Sequence, residues 1–483
     1  MKLSLGRAFN SQHTMTEATS YQHWAELAAA YDRQQGLDDW KSADASRNYD
    51  YRTIRQRLDR IRDLRLRQDY PQLLFTLNEG VHGNMGGIGK PALYNKARYG
   101  TKNLIKQFID EVCAALDDID QVDESIISSD EKKDFFQRAS HCFGRSALML
   151  SGGAVLGFFH AGVVKALFDE DLLPDIISGS SAGSIIAATA CTHTDAELVH
   201  RLSIDNLHQE VENSSDVQPT LRIFGERNPP MDAEKLSAYL AKIIPDLTFQ
   251  EAYALTGRRL NITVTGLNPS QASRLLNATT SPNVLIRSAV MASCAIYGIY
   301  PPVTLLCRDV KGQTVPYLPD QRWIDGSFSD DLPAKRLTRL YGVNHFISSM
   351  TNPAALAITP NPDAPHNPIR ALVNYQAKIV KNVTTEALKL SRNKLRFKSP
   401  ALNMLQHLSY GVLAQDYTAD INIFLTNRWN HPLRLLAQPS REAMLRLIRE
   451  GELSTWRRIE MVRNCTAISR KLDQVLIARG WNS

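Results

Sequence analysis

Gly179-Ser180-Ser181-Ala182-Gly183 sets a serine midway between two glycines, the spacing G-x-S-x-G. A serine in a tight strand-to-helix turn exposes its hydroxyl beside the positive end of the helix, where it can attack an acyl carbon. Only Ser181 has this register. The same offsets from Ser180 fall on Ser178 and Ala182, while Ser178 belongs to the run before the turn and Ser184 to the run after it. The five residues alone also describe an ordinary serine-rich turn, so the supporting groups decide. About 25 residues upstream, "SGGAVLG" (Ser151 to Gly157) offers Gly152 and Gly153, whose backbone N–H groups can approach a substrate oxygen. Its spacing is G-G-x-x-x-G, and no acidic residue ends a second strand downstream, which argues against a dinucleotide turn. For the proton, His193, His200, His208, His345, His366 and His407 follow the serine, but none stands in a strand-end loop pattern. "WIDGSFSDDLP" offers Asp325 after an apolar run and before Gly326. A carboxylate held against the serine can act as the base if burial raises its pKa from about 4 toward neutrality. A plain Asp-Gly turn is the competing reading.

The elements needed to position these groups are legible around them. "SALMLSGG" and "PDIISGSS" are short apolar runs ending in small residues, and each is followed by helical periodicity, in "GFFHAGVVKALFDEDLL" and "AGSIIAATACT". Strand, helix, strand, helix predicts an α/β sheet. "RLNITVTGL", "QRWIDGSF" and "VNHFISSM" supply further strands. Residues 15 to about 140 read as mostly helical. In "YDYRTIRQRLDRIRDLRLRQDY", Ile54, Leu58, Ile61 and Leu64 form an amphipathic stripe, and the seven arginines are either phosphate ligands or a solvated, salt-bridged face. "HGNMGGIGK" (His82 to Lys90) fails as a phosphate loop, because Pro91 stands where Ser or Thr is required; it reads as a structural loop. From about residue 365 the chain returns to long helical patterns.

At 483 residues, 43% hydrophobic and 22% charged, the chain reads as a soluble globular protein of two or three domains. Its net charge of +6 favours anionic surfaces mildly, and nothing points to nucleic acid. Six scattered cysteines with no Cys-x-x-Cys pair argue against a metal site or disulfide framework and for a reducing, cytoplasmic setting. No secretory signal and no membrane-spanning run is evident, so any membrane contact is expected to be peripheral.

"LMLSGGAVLGFFHAGVVKALFDEDLLPDIISGSSAGSIIAA", "SAVMASCAIYGIYPPVTL" and "RWIDGSFSDDLPAKRL" together resemble the patatin-like phospholipases, in that family's order of glycine loop, G-x-S-x-G and Asp-Gly. "GLDDWKSADASRNYDY", "ALYNKARYGTKNLI" and "TWRRIEMVRNCTAISRKLD" are similar to the subgroup containing yeast-type triacylglycerol lipases, which carries an N-terminal helical domain of unknown function. The resemblance implies a three-layer α/β/α core with helical extensions: an N-terminal domain over 1–140, a catalytic domain over 141–350 and a mainly helical region over 351–483. It implies a lipid acyl-ester hydrolase of triacylglycerol lipase or phospholipase A type, without cofactor or metal, working through an acyl-enzyme. Ser181 is the implied nucleophile in an elbow framed by Gly179 and Gly183, Asp325 the base, and Gly152, Gly153 and Ala154 the frame of the oxyanion hole. Ala154 replaces the usual third glycine, Leu156 the usual Arg, and Ser327 a usual Gly or Ala. The Leu156 change removes a cation and weakens the case for anionic phospholipids. The alternatives are a glycerolipid acyltransferase or a non-catalytic lipid-surface scaffold; a scaffold has no need of both Ser181 and Asp325. "HRLSID" (His200 to Asp205) fits the His-x4-Asp spacing of glycerolipid acyltransferases, but chance supplies such a match readily at this composition. His160 reads as a packed helix residue, and "GIYPPV" as a wall of the site.

Residues 370–398 hold Arg370, Lys378, Lys381, Lys389, Arg392, Lys394, Arg396 and Lys398 against the single acid Glu386, a local charge of +7. At about 100° per residue, Leu372, Ile379, Val383, Ala387 and Leu390 gather on one side and most of the basic residues on the other. Such a helix either lies on a membrane or lipid-droplet surface or packs on the core.

Overall fold

A computed structural model describes residues 15–80, 83–202, 233–268, 271–297, 300–358, 386, 410, 414–415, 417, 419–425 and 440–481. The chain forms two compact units, one of residues 1–146, 337–346 and 455–483, the other of residues 147–336 and 347–454.

The first unit is built from helices α1 (Tyr21–Gln34), α2 (Tyr51–Leu66), α3 (Tyr70–Asn78), α4 (Asn103–Gln121) and α5 (Ser129–Phe143), with the C-terminal helix Ile459–Ala478. In α2 the buried residues are Ile54, Leu58, Ile61 and Leu64, the stripe expected from their spacing. Asp50 caps its start by accepting the Thr53 N–H at 3.2 Å. Three of the six arginines of α2 form ion pairs: Arg55 with Asp44 at 2.8 Å, Arg62 with Glu111 at 3.0 Å, and Arg65 with Glu111 and Asp118. These acids, two of them on α4, pair half of the basic residues of the helix, in line with the salt-bridged reading for those three. Two buried polar groups tie separate segments together. The Lys102 ammonium donates to the Trp40 and Ala43 carbonyls at 2.6 and 2.7 Å. Asp32 accepts the Arg98 and Tyr99 N–H groups at 2.8 and 2.9 Å. The loop that holds Gly86 is structural, since its Gly86 carbonyl accepts the Asp50 N–H at 2.8 Å.

The sheet is formed mainly by residues of the second unit. Its strands are β1 (Arg145–Leu150), β2 (Ile176–Gly179), β3 (Arg259–Gly266), β4 (Arg274–Leu276), β7 (Trp323–Asp325), β8 (Val343–Met350) and β9 (Ile421–Phe424), with β5 (Leu306–Arg308) and β6 (Thr314–Pro316) forming a separate hairpin. The order is β4-β3-β2-β1-β8-β9, with β7 also paired to β3. The β1–β2, β2–β3 and β8–β9 pairs are parallel. Every residue of β2 and β7, and all but the first of β3, is buried, as in a sheet covered on both faces. Helix α6 (Phe158–Asp169) follows β1, α7 (Ala182–Thr192) follows β2, and α8 (Ile286–Ser293) precedes β5. Helix α6 packs closely on helix Arg441–Trp456. A side chain at Gly162 would come 1.9 Å from the Ile448 carbonyl oxygen, and one at Gly451 would come 2.2 Å from that of Phe159.

The strand register sets up the site. Gly179 of β2 and Leu276 of β4 both pair with Ile262, so β2 and β4 flank β3 on opposite sides. Val264 pairs with both Arg274 and Asp325, so β7 lies on the β2 side of β3. Asp325 therefore sits two residues beyond the end of β2 along β3, roughly 7 Å at strand rise. That is where the chain leaving β2 turns at Ser181.

Candidate active site

Ser181 has φ 50° and ψ −126°, a left-handed backbone conformation for a residue with a side chain. The surrounding structure holds it there. The Ser181 N–H donates to Ser293 Oγ at 2.9 Å. Its carbonyl accepts the Ser184 hydroxyl at 2.6 Å and the Cys294 thiol at 3.4 Å. The flanking glycines are steric requirements. A Cβ on Gly179 would lie 2.4 Å from the Gly183 carbonyl oxygen, and one on Gly183 would lie 2.3 Å from the Leu150 carbonyl oxygen. The turn is thus pressed against itself and against the end of β1.

Asp325 is buried, 1% exposed, at the end of β7. Its Oδ1 accepts the Ser327 N–H at 2.8 Å. Burial pushes its carboxyl up to about 6, against the opposing pull of the Ser181 hydroxyl and of Ser327. Ser181 and Asp325 are brought together by the sheet, and among the described residues no histidine bonds to either. Gly326 keeps the carboxylate close to β3, because a Cβ there would lie 2.2 Å from the Thr263 carbonyl oxygen.

The glycine loop converges on the same point. A Cβ on Gly152 would come 3.3 Å from the Ser181 Cβ and 3.0 Å from the Ser327 Cβ. The Gly152 N–H is already committed: it donates to Asp331 Oδ1 at 2.7 Å. Gly152 shapes the loop, while the Gly153 and Ala154 N–H groups have no acceptor among the described residues. Ala154 has φ 49°, a conformation glycine adopts without strain and alanine does at a cost of about 1–2 kcal/mol. Leu156 is buried, 4% exposed.

His160 is fully buried beneath this loop. Its Nε2 lies 2.8 Å from the Ser151 carbonyl oxygen and its Nδ1 2.6 Å from Ser349 Oγ. Burial pulls the imidazole down to about 4, so it is neutral at ordinary pH and serves as a strut. Tyr300 of "GIYPPV" is buried, while Gly298 and Ile299 lie outside the described residues. His200 lies in the last turn of helix Asp195–Arg201, and Asp205 lies outside the described residues. Among the described residues no group of three or more His, Cys, Asp or Glu is placed to hold a metal ion.

Several supporting residues carry no local signal in the sequence. Ser293 and Cys294 hold the elbow from 112 and 113 positions away. Asp331 reaches Gly152 across 179 positions. The signal available for Asp331 was its place in the acidic pair six residues beyond Asp325.

Residues 4–141 match a domain of unknown function, DUF3336, and residues 148–338 match the patatin-like phospholipase family. A patatin-like phospholipase domain-containing protein of Meyerozyma guilliermondii is 32% identical over 482 residues, 96% of this chain and 66% of that protein. Triacylglycerol lipase 4 of Saccharomyces cerevisiae is 32% identical over 492 residues, 96% of this chain and 52% of that protein. The chain thus spans between half and two-thirds of the length of these curated relatives. The solved structure of VipD from Legionella pneumophila aligns over 66% of this chain and 67% of that one, at 14% identity and a TM-score of 0.31, a likeness too slight to argue from. With DUF3336 ahead of the patatin domain, and a mixed, mainly parallel sheet whose chain turns at a G-x-S-x-G serine, the chain belongs to the patatin-like phospholipase family, with yeast triacylglycerol lipase 4 among its homologues.

Proposed function

We propose that the chain is a lipid acyl-ester hydrolase, of triacylglycerol lipase or phospholipase A type, acting through a Ser181–Asp325 dyad. The observation that carries this reading is the convergence of a strained serine, a buried carboxylate and a glycine loop beyond the end of β2. Asp325 takes the Ser181 hydroxyl proton as Oγ bonds to the ester carbon. The carbonyl oxygen becomes an oxyanion, stabilised by the Gly153 and Ala154 N–H groups. As the ester C–O bond breaks, Asp325 returns the proton to the departing alcohol, leaving an acyl-Ser181. Water, deprotonated by Asp325, then attacks the acyl carbon; as the acyl–Oγ bond breaks, Asp325 returns that proton to Ser181 Oγ and the fatty acid departs. Incubation of the purified chain with triacylglycerol emulsions and phospholipid micelles should liberate free fatty acid. No release from either class overturns the reading.

The base must be ionised to accept a proton. With its carboxyl held near 6, kcat/KM on a soluble short-chain ester should rise between pH about 5 and 7 and stay level above that. A rate already maximal at pH 4.5 contradicts Asp325 as the base.

We also propose peripheral attachment to a membrane or lipid-droplet surface. Among the described residues no helix is long and apolar enough to cross a membrane. The basic stretch 370–398, including Leu372, Ile379 and Val383, lies outside the described residues apart from Glu386. Each basic residue near an anionic surface contributes about 1 kcal/mol, screened beyond about 10 Å. Replacing Lys378, Lys381, Lys389 and Arg392 with Gln should lower co-sedimentation with phosphatidylserine-containing vesicles and activity on aggregated lipid. Soluble-ester hydrolysis should persist. Unchanged co-sedimentation overturns this proposal.

A further inference from the structure

We propose that Asp331 is a positioning residue for acyl transfer: it anchors the first N–H of the glycine loop and so reserves the next two for the oxyanion. The inference rests on the hydrolase reading above.

Asp331 is fully buried, and both its oxygens are engaged. Oδ1 accepts the Gly152 N–H at 2.7 Å and Oδ2 accepts the Asn352 side-chain amide at 2.8 Å. Asn352 continues the tie, since its backbone N–H donates to Ser151 Oγ at 3.2 Å. The Asp331 N–H donates to the Gln415 side-chain carbonyl at 2.6 Å, and the Gln415 amide donates to the Ser327 carbonyl at 3.0 Å. One carboxylate thus links the glycine loop, the end of β8 and the loop that carries Asp325.

The charges acting on Asp331 are those of Asp325 and Asp330, both of its own sign. A buried carboxylate beside another, without a cation, destabilises a fold unless its hydrogen bonds compensate. Here the compensating bonds go to the loop that must be rigid for an oxyanion hole to be pre-organised. Asp331 is not the base. Its oxygens are held by N–H donors, whereas Asp325 is the carboxylate that interacts with Ser181.

The test is hydrolysis of p-nitrophenyl butyrate by the purified full chain, with thermal unfolding measured alongside. Asp331→Asn keeps an acceptor for Gly152 but turns an amide N–H toward the Asn352 amide. It should lower kcat about 100-fold with KM changed less than about threefold, the cost of one misplaced oxyanion donor. The exchange Asp331→Asn with Asn352→Asp restores a donor–acceptor pair and should return kcat to within about fivefold of wild type. A folded Asp331→Asn with kcat within about threefold of wild type overturns the proposal, as does a folded exchange variant without recovery. If neither folds, Asn352→Ala decides. It should lose about tenfold in kcat at constant KM, and an unaltered kcat overturns the clamp. Wild-type chain inactive on every ester overturns the hydrolase reading together with the clamp; an active wild type with an unaffected Asp331→Asn overturns the clamp alone.

Discussion

Ser181→Ala should lower ester hydrolysis by about 10⁵-fold or more, to the background of the assay, while the fold survives. The loss is large because the nucleophile forms the bond that defines the reaction. The fold survives because the bonds holding the elbow use the backbone N–H and carbonyl of Ser181, which alanine retains. Alanine also accommodates a positive φ at this site, as it does at position 154. A fluorophosphonate probe should label Ser181 and no other serine. Ser180 is fully buried, and Ser184 spends its hydroxyl on the Ser181 carbonyl. Labelling that persists in Ser181→Ala and vanishes in Ser180→Ala would move the nucleophile by one residue and overturn the assignment.

Asp325→Asn should cost about three or more orders of magnitude in kcat, the loss expected for a missing general base. An amide can still accept the Ser327 N–H, so the geometry is retained while the proton acceptor is removed. The same change should stabilise the folded chain above neutral pH. Burial holds the carboxyl near 6 rather than 3.8, so ionising it works against folding. That penalty is absent below about pH 4 and fully present above about pH 6, where it is on the order of 3 kcal/mol. Thermal unfolding should therefore show Asp325→Asn more stable than wild type at pH 8 and no more stable at pH 4. Loss of activity with no gain in stability at pH 8 would mean that the carboxylate is better solvated than its burial implies. His193, His200, His208, His345, His366, His407 and His431 can each be changed singly to Gln. If one of these changes matched the loss in Asp325→Asn, a triad would replace the dyad. His160 is left out of this set because it holds the Ser151 carbonyl.

What the sequence by itself determined is what local sterics and periodicity control. The elbow is a five-residue problem: Gly179 and Gly183 lie where a Cβ would strike backbone, so the pattern shows the constraint directly. The stripe of Ile54, Leu58, Ile61 and Leu64 follows from helical spacing, and the strands of the core from short apolar runs bounded by small residues. Asp325 was readable because a strand run ends on it. Tertiary structure alone decided which groups surround these residues. It chose the salt-bridged reading for Arg62 and Arg65 of α2 by placing Glu111 and Asp118 against them. It made His160 a neutral strut by burying it against Ser151 and Ser349. It committed the Gly152 N–H to Asp331 and tied the elbow to Ser293, contacts spanning 179 and 112 residues. A polar side chain carries no periodicity that names its distant partner. Its role is set by which hydrogen-bonding groups the closing sheet brings within 3 Å or so, and by how completely the packing then removes water from around them.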